Sequence, residues 1–196
     1  TANGKKVTCK VKVVPGTATI KATNNGYNSI KLTWNKLGDV TGYWIYRRTS
    51  GSKYKTIAKV SGTTVSYKDK NLVTGQKYYY KIKGYKKVGK TTYKGSKSKA
   101  SKAYPKPAKV KITSIKSTAK GYWKKVAGAS GYVIYRSESK TGKYTKIKEI
   151  KKQTKISYNN TGLLKGKTYY YKVMAYRNMS GIYVYGKYST VKQIRK

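Results

Sequence analysis

Apolar and polar positions alternate along most of this chain, in short runs. Lys10-Val11-Lys12-Val13, Lys109-Val110-Lys111-Ile112 and Lys146-Ile147-Lys148 each set ammonium groups on one side and aliphatic groups on the other. A period of two is that of a strand with one face in a core and one in water. Within Tyr78–Gly84 the same period sends Tyr78, Tyr80, Ile82 and Gly84 inward, and Tyr79, Lys81, Lys83 and then Tyr85 outward. The first half holds seven such runs separated by turn residues: 17–23, 29–34, 42–48, 54–60, 66–68, 77–85 and 96–103. No helix is needed, and the pattern predicts an antiparallel sandwich.

The pattern then repeats. Trp34-Asn-Lys-Leu-Gly-Asp-Val-Thr-Gly-Tyr-Trp-Ile-Tyr-Arg47 returns 89 residues later as Trp123-Lys-Lys-Val-Ala-Gly-Ala-Ser-Gly-Tyr-Val-Ile-Tyr-Arg136. Lys53-Tyr-Lys-Thr-Ile57 matches Lys143-Tyr-Thr-Lys-Ile147. Leu72-Val-Thr-Gly-Gln-Lys-Tyr-Tyr-Tyr-Lys-Ile82 matches Leu163-Leu-Lys-Gly-Lys-Thr-Tyr-Tyr-Tyr-Lys-Val173 at an offset of 91, so loops absorb one or two inserted residues. Tyr104-Pro-Lys-Pro107 reads as a short extended linker. Two domains follow, 15–104 and 105–196, each about 90 residues long. Residues 1–14 fall outside the repeat; Asn3-Gly4 before the alternating Val7, Cys9, Val11 and Val13 reads as a hairpin turn and a final strand.

These motifs resemble the fibronectin type III domain, twice, over 15–196. The carriers are Trp on the second strand, Gly-Tyr-x-Ile on the third, and Leu-x-x-Gly-x-x-Tyr-x-Tyr-x-Ile/Val before and on the sixth. The resemblance implies an all-β fold of two tandem seven-stranded immunoglobulin-like sandwiches, with Trp34 and Trp123 in the cores. It makes Tyr78 and Tyr169 packing and hydrogen-bonding corners. The family's integrin-binding Arg-Gly-Asp is absent; the corresponding loops read Lys86-Lys-Val-Gly-Lys-Thr-Thr92 and Arg177-Asn-Met-Ser-Gly181. Residues 1–14 are similar to the end of a bacterial immunoglobulin-like domain of group 2. That likeness implies an excised part of a multidomain bacterial surface or secreted protein, and an extracellular location. Cys9 is then a buried strand residue rather than a reactive thiol.

Composition narrows the chemistry. Among 196 residues there is no His, one Cys and four carboxylates, Asp39, Asp69, Glu138 and Glu149. The commonest general base and metal ligand is therefore missing, and no thiolate zinc site or acidic cation cage can be assembled. No cofactor, metal site or catalytic residue is expected. Glu138 and Glu149 read as surface carboxylates balancing Lys, and Asp39 and Asp69 as turn residues. No apolar run reaches the roughly 18 residues of a spanning helix.

Charge and aromatics carry the candidate function. The chain has 47 Lys+Arg, only five of them Arg, and a formal net charge of +43. Disorder is the first reading of such charge, but recurrent Tyr, Val and Ile at strand period favour a folded chain with a solvated Lys surface. The excess divides almost evenly, +18 on 15–105 and +21 on 106–196. An even Lys coat attracts polyanions with little specificity, and the scarcity of Arg disfavours base-edge readout of DNA. Such a coat suits an anionic neighbour: a cell-wall polymer, a sulfated or sialylated glycan, or nucleic acid held nonspecifically. It equally suits a self-repelling surface that keeps sheet edges apart and the chain monomeric.

Alternation also sends an aromatic and basic set outward: Trp44, Tyr46, Arg48, Tyr79, Lys81, Lys83 and Tyr85, with Tyr135, Tyr170, Lys172 and Tyr176 in the second copy. This face can stack sugar rings, or it can simply stabilise the sheet by cross-strand pairing. The first copy is favoured as the site because Val133 replaces Trp44 in the second. The expected role is non-catalytic: spacing and presenting neighbouring domains of the same chain, with adhesion to anionic polymers, or alternatively binding a host or dietary glycan.

Overall fold

The computed structural model describes residues 14–196. The expected Asn3-Gly4 turn, its strand and Cys9 lie outside the described residues. The chain divides into two compact units, with 32–67 and 78–102 forming the bulk of one and 103–196 the bulk of the other.

The first sandwich comprises β1 (Ile20–Asn24), β2 (Ile30–Trp34), β3 (Gly42–Arg48), β4 (Lys55–Ser61), β5 (Ser66–Asp69), β6 (Tyr78–Val88), β7 (Thr91–Lys94) and β8 (Ser101–Ala103). One sheet runs β1-β2-β5; the other runs β4-β3-β6-β7, with β8 also on β6. The core comes from the inward positions of both sheets: Ile30, Leu32 and Trp34 on β2, Tyr43 and Ile45 on β3, Tyr80 and Ile82 on β6. Trp34 meets Tyr43 edge to face at 5.7 Å, and the Tyr43 hydroxyl accepts a hydrogen bond from the Leu37 amide.

The second sandwich repeats this order. Its strands are β9 (Ile112–Ile115), β10 (Lys120–Trp123), β11 (Gly131–Ser137), β12 (Thr145–Ile150), β13 (Ser157–Asn159), β14 (Thr168–Met179), β15 (Ile182–Tyr185) and β16 (Lys192–Arg195). The sheets run β9-β10-β13 and β12-β11-β14-β15, with β16 also on β14. Trp123 packs on Tyr132 at 5.3 Å within a core that includes Val110, Ile134, Tyr171, Val173 and Ile194. The Tyr169 hydroxyl accepts from the Leu164 amide, which ties the Leu-x-x-Gly turn to the start of β14.

Of the seventh expected strand, 96–103, only β8 at 101–103 is a strand in the structure, and β7 at 91–94 precedes it as an additional one. β7 and β8 both lie on β6, and the break between them is spanned by Ser98. Its Oγ accepts from the Ile82 amide and donates to the Lys99 carbonyl. Ser189 does the same for Val173 and Thr190 between β15 and β16. A buried serine thus stands in where the ladder lapses, because a buried amide without a partner is costly.

The repeated Gly-Tyr-x-Ile-Tyr-Arg has a steric basis. A Cβ on Gly42 would sit 2.4 Å from the Val60 carbonyl oxygen, and one on Gly131 would sit 2.0 Å from that of Ile150. Only glycine lets the neighbouring strand approach so closely.

The four carboxylates resolve differently from one another. Asp39 lies in a turn at positive φ and pairs with Lys86. Glu138 pairs with Lys167 at 3.2 Å and Glu149 with Lys146 at 2.6 Å. Asp69, expected in a turn, instead ends β5 and is buried. Its counterpart in the repeat is Asn160, also buried, whose Oδ1 accepts from the Tyr171 hydroxyl at 3.3 Å. The position is an interior polar node, which charge alone did not reveal.

Candidate functional site

The outer faces of the two larger sheets carry the candidate residues, and the two faces are built differently. On the first, Trp44 lies opposite Lys59 on β4 and Lys83 on β6; Tyr46 is opposite Lys81, and Arg48 is opposite Tyr79. Trp44 stacks on Tyr85 at 5.3 Å with an interplanar angle of 28°. Cations cover the rings. Lys94 and Lys59 lie 4.9 and 5.6 Å from the Trp44 ring, Lys97 lies 4.4 Å from Tyr46, and Arg48 lies 4.4 Å from Tyr79. Lys81 and Arg48 flank Tyr54, a ring outside the expected set.

Trp44, Arg48, Tyr79, Lys81, Lys83 and Tyr85 are half-buried there, whereas Tyr46 is buried. Tyr46 does point outward, but neighbouring side chains close over it, and burial raises its phenol pKa. Each ammonium on a ring face gains from the ring quadrupole. The same contacts occupy the faces that a sugar would need.

On the second sandwich, Tyr135 lies opposite Lys172 and Lys146, and Tyr170 lies opposite Ser137 and Gln193. Lys172 sits 3.8 Å from the Tyr144 ring and 5.8 Å from Tyr188. Tyr135 meets Tyr188 edge to face at 5.2 Å. Tyr176 is only 2% exposed, so it is not a surface residue as expected. Tyr183 and Tyr185 of β15 pack on it at 5.3 and 6.1 Å. Burial pushes the phenols of Tyr135 and Tyr176 up to about 12, and nearby Glu149 adds to both shifts. The hydrogen bond from Lys146 holds the Glu149 carboxyl below its usual range.

The two registers can be compared position by position. Around Trp44 stand Lys59, Lys83 and, beside Tyr85, Lys94. Around Val133 the same places hold Glu149, Met174 and, beside Tyr176, Tyr185. Three cations are thus replaced by a carboxylate, a thioether and a phenol. Val133 and Met174 are buried under this cluster, while Tyr183 and Tyr185 are 40% and 45% exposed. Sequence alternation missed these two tyrosines, although Ile182-Tyr-Val-Tyr185 carries the period.

No cluster of three or more His, Cys, Asp or Glu exists among the described residues, and no described helix is long and apolar enough to cross a membrane. An apolar gap of about 20 Å³ in the second core, lined by Trp123, Ile134 and Tyr171 among others, is too small for a substrate.

Comparison with known proteins agrees with this architecture. The sequence model of the fibronectin type III domain matches residues 14–99. An amylopullulanase of Thermoanaerobacterium saccharolyticum is 29% identical over 122 residues, which is 54% of this chain and 9% of that protein. This chain therefore spans a small part of the length of that relative. Among solved structures, a two-domain fibronectin type III segment of chicken tenascin aligns with 93% of this chain and 99% of its own, at 11% identity and a TM-score of 0.50. The FN1-FN3 domains of chicken CNTN1 align with 92% of this chain and 66% of theirs, at 17% identity and a TM-score of 0.39.

Proposed function

Because residues 14–99 match the model of the fibronectin type III domain and β9–β16 repeat the same sheet order, we propose that the chain is a non-catalytic tandem spacer. It would serve a larger extracellular bacterial protein that acts on polysaccharide. On this reading the module is accessory, and the enzyme relative, of which the match covers 9%, would carry such a module beside its catalytic parts. The observation that carries the reading is the outer surface itself. Asp39, Glu138 and Glu149 each face their own lysine rather than one another. The aromatic face of the first sandwich is capped by Lys and Arg. Such a surface spaces domains and attracts anionic polymers without recognising a particular one.

The test is retention on heparin and on a wall teichoic acid matrix, followed through a salt gradient. Binding at low ionic strength that is lost as NaCl rises supports adhesion through the coat. Flow-through at every salt concentration removes adhesion from the proposal and leaves the spacer role alone. Tighter binding to one duplex sequence than to random DNA would overturn the nonspecific reading.

A further inference from the structure

The second sandwich interrupts its lysine coat at one place, and that place has the chemistry of a sugar platform. We propose that the outer face of β14 and β15 binds a neutral glycan chain, stacked on Tyr183 and Tyr185 and hydrogen-bonded to the Glu149 carboxylate.

Four observations carry this. First, the two rings are near-parallel, 21° apart with centroids 6.2 Å from each other, because alternate residues of a strand share a face. Second, they rest on buried Tyr176, with Met174 buried beside it, so the platform is supported from beneath. A ligand then pays little ordering entropy to use it. Third, no cation covers either ring among the described cation–π contacts, whereas Trp44, Tyr46 and Tyr79 are each covered. The ring surface not packed on Tyr176 or on the other ring is left open to the polarised C–H groups of a pyranose, the two side chains being 40% and 45% exposed. Fourth, Glu149 is held ionised by Lys146 at 2.6 Å, and the 23% of its side chain that stays exposed is the one charged acceptor this face offers a sugar hydroxyl.

Charge selects the class of ligand. Replacing Lys59, Lys83 and Lys94 of the first copy by Glu149, Met174 and Tyr185 takes three cations off this face, and Lys146, which remains, is paired with Glu149. A second copy of the chain, at +43, is repelled. An uncharged chain of hexoses fits what remains. The site is separate from the salt-dependent adhesion proposed above, and ionic strength distinguishes the two.

The experiment is affinity electrophoresis and calorimetry of the whole chain with pullulan and with hydroxyethylcellulose, in about 0.5 M NaCl, where the coat is screened. One of these neutral glucans is expected to bind. Tyr183→Ala and Tyr185→Ala should each weaken it about tenfold, the scale of losing one stacking partner. Trp44→Ala should leave it unchanged. Tyr185→Lys and Glu149→Lys install residues that the first copy already accommodates at those positions, so they test the site without depending on a truncated core; both should abolish binding. Absence of binding to both glucans, equal loss in Trp44→Ala, or undiminished binding in Tyr185→Lys would each overturn the proposal. So would concentration-dependent dimerisation of the wild type that Tyr185→Lys removes, since the patch would then be a self-interface.

Discussion

The tyrosines of this protein are not one population. Tyr135, Tyr171 and Tyr176 have phenols pushed up to about 12, chiefly by burial. For Tyr171 the opposing pull of Arg136 is outweighed by that burial. In the unfolded chain the same phenols titrate near 10. Between those two values the folded state holds protons that the unfolded state has released. Their contribution to stability is therefore complete below about pH 10 and is lost as pH rises toward 12. A phenolate absorbance titration should show most tyrosines ionising together and a late fraction ionising well above them. Tyr135→Phe and Tyr176→Phe should each shrink the late fraction, and denaturant should abolish it. A single transition near 10 in the native protein would contradict the burial seen on β11 and β14.

At the scale of elements, the third and sixth strands were legible because period-two alternation and duplication reinforce one another. β3 is read residue for residue, Gly42–Arg48, and its inward Tyr43 and Ile45 are both buried. Two things escaped. β7 is Thr-Thr-Tyr-Lys, with no apolar alternation to mark it; it exists because it pairs with Tyr85–Val88 across a tight turn. The burial of Tyr46 and Tyr176 also escaped, because alternation gives a side chain's direction and not what lies over it. Lys97 reaches Tyr46 from beyond the end of β7, and the cover of Tyr176 comes from β15, so each depends on pairing between separate strands. The serines that bridge the broken last strands follow the same logic. Ser189→Ala would leave the buried Val173 amide without its acceptor, a loss of roughly 1–3 kcal/mol. Chemical denaturation should show it, and Ser98→Ala should match it in the first sandwich, where Ile82 is the donor. A change near zero in both would mean that solvent replaces the hydroxyl and that the break in the strand is open to water.

For the molecule as a whole, the even coat imposes a cost on folding that its surroundings can relieve. Each sandwich gathers about half of a +43 charge onto its surface, and few carboxylates are present to offset it. Compaction brings these ammonium groups closer than they are in the unfolded chain, so repulsion opposes the folded state. Salt screens that repulsion over a Debye length of about 10 Å at 0.1 M, a distance comparable to the spacing of charges on a small sandwich. Thermal stability should therefore rise between about 10 mM and about 200 mM NaCl, where a protein of balanced charge changes little. A polyanion at equal charge should raise it further than NaCl does, because it binds the folded surface as well as screening it. Differential scanning calorimetry in NaCl and then in heparin separates the two effects. If stability is flat or falls with salt, the repulsion among the lysines is already offset by their contacts with ring faces, and the coat contributes to the fold rather than waiting for an anionic partner.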